Sequence, residues 1–150
     1  MLDTNLVLPG PTGERNTLSF APRGRVLCVA TSVRALLNQL AAVLAIGNSA
    51  CMMASGADLL PTGLPADVRS AIRLIDAVDN LGTDCNFALI QEPLAHTLRA
   101  ALAARNGALV TILETRDEEA IPVWRLVTER ALCVNTTAAG GNASSMTLGS

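Results

Sequence analysis

The sequence predicts an α/β chain: a doubly wound, mostly parallel sheet with an extended N-terminal connector before it and a C-terminal flap after it. Three observations predict this. Short aliphatic runs alternate with stretches of helical periodicity, the pattern of strands and covering helices. Half of the residues are hydrophobic but only 2% are aromatic, so Ala, Leu, Val and Ile must fill the core, as they do in strands buried on both faces. The 150 residues suit one ordinary domain, which can bury roughly two-thirds of its unfolded surface around a single core.

The elements follow in order. Residues 1–24 carry Pro9, Pro11, Pro22, Gly10, Gly13 and Gly24 with no apolar periodicity, and read as an extended connector. The domain proper is expected over residues 25–134. Arg25 to Ala30 reads as a strand, and Thr31 or Ser32 as the N-cap of a helix with Leu36, Leu37, Leu40, Val43 and Leu44 on one face, closed by Gly47. Ser49 to Ala54 makes a second strand. A turn rich in Gly and Pro precedes a short helix at Ala66 to Ala71 and a third strand at Ile72 to Ala77. Asn86 to Ile90 is a buried strand, and Pro93 at the first helical position opens a helix with Leu94, Leu98, Ala101 and Leu102 inward, ended by Asn106-Gly107. Ala108 to Leu113 is the next strand, and Val123 to Val134 holds one or two extended segments joined near Glu129. Residues 135–150 are nearly all small and too weakly apolar to build core.

Composition excludes several classes of function. The net charge of −2 comes from scattered residues without the basic stripe that nucleic acid requires. There is no Lys and no Tyr, which removes the phosphate-loop lysine, Schiff-base chemistry, Tyr/Lys acid–base pairs and the phosphoacceptor receiver site. Cys28, Cys51, Cys85 and Cys133 show no metal-ligand spacing and read as small buried hydrophobes of a reducing compartment. Asn38, Gln39, Gly47, Asn48 and Ser49 interrupt the apolar stretch Ala35 to Ala54, so no integral membrane segment is expected. Without a basic start or apolar run near Met1, a cytoplasmic location is the default.

In a doubly wound sheet a nucleotide would sit at the loop after the first strand, here Thr31 to Arg34. That loop has no glycine to admit a pyrophosphate, and the second strand ends Ala54-Ser55 without the acidic residue that holds a ribose. Neither a cofactor site nor a catalytic residue is expected in this chain. His96, the only histidine, lies opposite Leu94 and Leu98 and should face water. Cys51 and Cys133 lack an evident activating base, and Trp124 reads as a plug or an interface anchor. The Gly-rich segment Thr136 to Ser144 suits either a nest of amides for an anion or a chain lying flat against a partner; no core-forming residues hold it, which favours the partner.

Two stretches are more specific: LPGPTGERNTL at Leu8 to Leu18, and NTTAAGGNAS followed by MTLG at the C-terminal end. With GRVLCVA at Gly24 to Ala30 and QLAAVLAIGN at Gln39 to Asn48, they resemble the last segment of long-form proline utilization A, the bifunctional flavoenzyme and aldehyde dehydrogenase of proline catabolism. The resemblance covers about Leu8 to Gly149. It implies a noncatalytic domain of Rossmann-like, aldehyde-dehydrogenase-superfamily fold that packs on the catalytic modules and helps seal the tunnel between their active sites. It further implies a docking motif made by Asn135, Thr136, Thr137, Ala138, Ala139, Gly140, Gly141, Asn142, Ala143, Ser144 and Met146. Ser145 departs from the Leu expected in that motif. By the same resemblance, FAD and NAD belong to upstream proline dehydrogenase and aldehyde dehydrogenase modules, which would be the partners of this chain. Met1 to Asn5 opens abruptly, as an excised domain would, and apolar surface normally covered by those modules would favour self-association. The competing reading is a free-standing Rossmann-like protein that binds a small molecule or nucleotide.

Overall fold

The computed structural model describes residues 5–92, 94–117 and 119–135. In chain order its elements are β1 (Leu6–Leu8), β2 (Glu14–Pro22), β3 (Arg25–Val29), α1 (Val33–Leu44), β4 (Ser49–Met53), α2 (Ala66–Ser70), β5 (Ile72–Ile75), β6 (Cys85–Gln91), α3 (Ala95–Ala104), β7 (Thr111–Thr115) and β8 (Val127–Asn135). Short 3-10 turns occupy Ala54–Leu59, Val78–Asn80 and Val123–Leu126. The chain divides into two compact units, Pro22–Val127 and the pair of segments Met1–Ala21 and Thr128–Ser150.

The unit Pro22–Val127 holds a five-stranded sheet in the order β5-β4-β3-β6-β7, with all four pairings parallel. Parallel strands need crossovers, and the crossovers cover both faces. On one face Val26, Cys28, Ala50, Met52, Phe87 and Leu89 meet Leu36, Leu40 and Val43 of α1 and Leu126 of the last 3-10 turn. On the other, Leu27, Cys51, Ala88 and Ile90 meet Ala95 and Leu102 of α3. The alternation along each strand assigns its residues to these two layers in turn. Strand order reverses between β3 and β6, which defines the switch point of the sheet.

Ser32 starts α1. Its backbone is extended and its Oγ accepts the Ala35 N–H at 3.1 Å. Gly47 ends the segment in the left-handed region at φ 75°, with its N–H donated to the Leu44 carbonyl. The inward face of α1 differs from the expected one: Ala35, Leu36, Gln39, Leu40 and Val43 are buried, while Leu37 is exposed. Leu37 falls one position past the seam, and Gln39 enters with its Nε2 hydrogen-bonded inside to the Val29 carbonyl and Thr115.

The first four strands of the sheet begin and end within two residues of their expected bounds, but β7 starts at Thr111 rather than Ala108. The cause is Arg105, which turns inward at the end of α3 and donates to the carbonyls of Leu81, Cys85 and Ala108. Residues 108–110 are thereby held to the helix end and Leu109 is left 84% exposed. The expected joint near Glu129 is also displaced. Leu126 is drawn fully into the core, so the break falls before Val127 and β8 runs on unbroken. The expected helix-opening Pro93 lies outside the described residues.

The second unit holds a three-stranded sheet in the order β1-β2-β8, with β1 antiparallel to β2 in the register Leu6↔Leu18, Val7↔Thr17 and Leu8↔Asn16. Residues 1–24, read as a connector, thus contain two paired strands.

Asn48 ties the unit Pro22–Val127 together at one end of the sheet. It is buried, its Oδ1 accepts the Gly24 N–H at 2.9 Å and its Nδ2 donates to the Leu126 carbonyl at 3.0 Å. Asn48→Ala should lower unfolding free energy by about 1–3 kcal/mol, because two backbone groups lose their partner. His96→Ala, at an exposed helix position, should change it by less than about 0.5 kcal/mol. Urea melts of the two variants against the parent chain measure the difference.

Candidate functional site

In doubly wound sheets ligands bind outside the carboxyl ends of the strands, near the switch point, so the residues ending β3, β4 and β6 define where to look. The loop after β3 is closed by side chains. Gln91, the last residue of β6, accepts the Thr31 N–H at 2.7 Å and the Thr31 hydroxyl at 3.0 Å through its Oε1, while its Nε2 donates to Asp117. Gln39 donates to the Val29 carbonyl at 3.1 Å and to Thr115 Oγ1 at 2.9 Å. The amides of Thr31 and Ala35, which would face a pyrophosphate in a dinucleotide site, are therefore engaged by Gln91 and Ser32. Side chains stand at every position from Thr31 to Arg34, so the loop lacks the glycines of the dinucleotide fingerprint.

Beside that loop lies a cleft of about 530 Å³, lined by residues ending β3 and β4, by the 3-10 turn Ala54–Leu59 and by Leu94, Thr97 and Leu98. Its lining is mostly apolar, from Leu36, Met52, Met53, Leu59, Leu94 and Leu98, with Ser55, Asp58 and Thr97 the polar contributors.

The thiols are placed as small core residues, apart from one. Cys28, Cys51 and Cys85 are buried on three neighbouring strands, and Cys133 is exposed on β8 with Sγ 3.8 Å from Glu14 Oε2. Burial, reinforced by the other thiols, pushes Cys28 far up; burial and the Cys85 charge push Cys51 up to about 11. Cys85 is also raised, mainly by burial. None of these three is an activated nucleophile. His96 is exposed in a shallow depression with Glu92, Arg99 and Glu114, where Arg99 and Glu114 pair with each other. Trp124 is 68% exposed, with the Arg125 guanidinium 5.8 Å from its ring centre, so it plugs nothing in this chain.

The three-stranded unit is built differently. Among its described residues none is buried, and β8 is exposed from Thr128 to Asn135. One face carries Val7, Arg15, Thr17, Ser19, Arg130, Leu132 and Val134 around a depression of about 570 Å³. Val7 and Leu132 are more than half exposed, at 67% and 61%. Of the docking motif, Asn135 ends β8, and Thr136 to Ser144 and Met146 lie outside the described residues. Gln39, Asn48 and Gln91, which organise the carboxyl ends and the base of the sheet, were not singled out from sequence as site residues. The available signal was a polar residue with a carboxamide at the end of, or inside, an otherwise apolar run.

A parallel five-stranded sheet in this order, covered on both faces, places the chain among α/β proteins with the sheet of aldehyde dehydrogenases. A Burkholderia cenocepacia protein assigned to that class superposes on 72% of the chain with a TM-score of 0.50 at 17% identity, through 27% of its own length. Sequence similarity makes the identification narrower: the chain is homologous to one segment of the bifunctional protein PutA. It is 44% identical to the Escherichia coli protein over 151 residues, which are 97% of this chain and 11% of that protein. It is 38% identical to the Rhizobium meliloti protein over 159 residues, 99% of this chain and 13% of that one. A solved structure of bifunctional proline utilization A shares the fold over 75% of this chain and 13% of its own, with a TM-score of 0.55 at 24% identity. The chain thus spans only 11 to 13% of the length of these curated relatives. No protein-family model matches it. Among the described residues no helix is long and apolar enough to cross a membrane.

The thiol environments set two expectations. A thiol-reactive chromophore at pH 8 should titrate Cys133 at once and Cys28, Cys51 and Cys85 only on unfolding. The buried thiols stay protonated in the fold, whereas unfolded ones ionise near 9.0, so the unfolded state holds fewer protons above that pH. Stability should be full below pH 9.0 and fall as pH rises toward about 11, a loss that denaturant melts of the parent chain and of Cys51→Ala would register as steeper and shallower, respectively.

Proposed function

We propose that the chain is a noncatalytic domain of a proline utilization A enzyme, packing on its proline dehydrogenase and aldehyde dehydrogenase modules and sealing the tunnel between their active sites. The observation that carries this reading is a sheet with surface and no interior: β1, β2 and β8 leave all their described residues in the second unit at least partly exposed. A three-stranded sheet without a buried face of its own needs an apolar face covered by something else to be stable in water. Val7, Leu132 and Val134, flanked by Arg15 and Arg130, supply such a face, an apolar centre with a charged rim suited to a protein partner. The homology to a PutA segment supplies the candidate partner.

In this role the chain acts by excluding water. Pyrroline-5-carboxylate and its open semialdehyde would pass from one module to the other without equilibrating with solvent, and FAD and NAD would be held by those modules and not by this chain. The side-chain closure of the loop after β3 by Gln91 and Ser32 supports the absence of a cofactor role. Residues Asn135 to Met146 would extend the covering surface beyond β8. Apart from the modules, the same exposed apolar residues would favour self-association.

The test is made in the parent enzyme. Deleting Ala138 to Ser150 should introduce a lag in NADH formation from proline and let the intermediate be trapped in solution, with each half-reaction retained. Unchanged progress curves without a lag would remove the sealing role. The isolated chain should not oxidise glutamate semialdehyde with NAD, and micromolar NAD binding by calorimetry would instead favour a free-standing nucleotide-binding protein.

A further inference from the structure

We infer that the cleft at the carboxyl ends of β3 and β4 is a binding site for a small, uncharged aromatic molecule. The cleft originates in composition. A core nearly devoid of aromatic side chains is filled by short ones, and here Cys28, Ala30 and Gly56 leave depth that Leu36, Met52 and Leu98 wall without filling. The resulting volume of about 530 Å³ is that of a ligand pocket and not of a packing defect. It lies at the end of the sheet where this class of fold receives its ligands.

The chemistry of the walls selects the ligand. Among the described lining residues none is Lys, Arg or His, and the one charged group is the exposed carboxylate of Asp58. A phosphate or carboxylate would lose its hydration without a cation to replace it and would meet Asp58 at the rim. The Thr31 and Ala35 amides in the neighbouring loop are already engaged. An aromatic ring meets the opposite balance: Met52 offers a flexible, polarisable sulfur that gains from contact with a ring edge, and the Leu side chains gain by leaving water. The site lies wholly within the unit Pro22–Val127 and does not depend on the covering role proposed for the three-stranded unit.

Two fluorescent probes that share one skeleton separate the possibilities: neutral N-phenylnaphthylamine and its anionic relative anilinonaphthalene sulfonate. The full chain should bind the neutral probe saturably at one site, and the sulfonate at least about tenfold more weakly. Leu98→Arg should abolish the neutral site. Asp58→Arg, a surface change that leaves the fold intact, should strengthen sulfonate binding about tenfold and leave the neutral probe within about twofold. Equal binding of both probes, neutral binding that survives Leu98→Arg, or displacement of the neutral probe by adenosine monophosphate would overturn the assignment. Loss of NADH-lag effects in the parent enzyme would bear on the covering role alone.

Discussion

The structure depends on a tie between two places where the chain enters and leaves the parallel-sheet unit. Arg23 follows β2, and Leu126 precedes β8. The Arg23 N–H donates to the Leu126 carbonyl at 3.4 Å, and its Nε donates to the Arg125 carbonyl at 2.7 Å. Its guanidinium stands 5.1 Å from the centre of the Phe87 ring, in the middle of the core. Asn48, buried below them, holds Gly24 and Leu126 at once. Arg23 can serve here because its planar group bonds a carbonyl at its edge while offering a face to an aromatic ring. Without this tie the Leu126 carbonyl would lose both its partners, leaving the last 3-10 turn held by the burial of the Leu126 side chain alone.

The same economy explains the carboxyl ends of the strands. Three carboxamides, Gln39, Asn48 and Gln91, each reach backbone or hydroxyl groups that the sheet leaves without a ladder partner. Neutral amides serve this purpose at lower desolvation cost than charged groups, and they give the loops fixed shapes. In the loop after β3, the Thr31 and Ala35 amides are taken by the side chains of Gln91 and Ser32. The space that remains open has apolar walls.

The strands of the parallel sheet were legible in the sequence because aliphatic runs such as Arg25 to Val29 and Cys85 to Gln91 are bounded by strong turn residues and helical periodicity. The start of β7 was not, because the side chain that delays it, Arg105, acts through carbonyls as far away as Leu81. The buried carboxamides were equally hidden: Gln91, Gln39 and Asn48 each have one partner that lies 60, 76 and 78 positions away, respectively. Of the three-stranded sheet, β8 lies, all but its last residue, within the expected extended stretch Val123 to Val134, but β1 and β2 were read as connector because β1 has only three residues and neither strand has a buried face to impose alternation. For the site, the sequence drew attention to the loop after β3, beside which the cleft lies. That cleft is made of missing volume at Cys28, Ala30 and Gly56, and missing volume leaves no motif.

The three-stranded unit is discontinuous in the chain, with the whole parallel-sheet unit inserted between β2 and β8. As the chain leaves the ribosome, β1 and β2 emerge before the inserted unit and must wait for β8 until that unit has been made. Closing a flexible loop of roughly a hundred residues to bring β8 to β2 would cost several kcal/mol of chain entropy. Folding of the inserted unit removes most of that cost in advance, since Arg23 and Leu126 are already hydrogen-bonded when it is complete. The order of folding is therefore imposed by topology: the inserted unit first, the three-stranded sheet last.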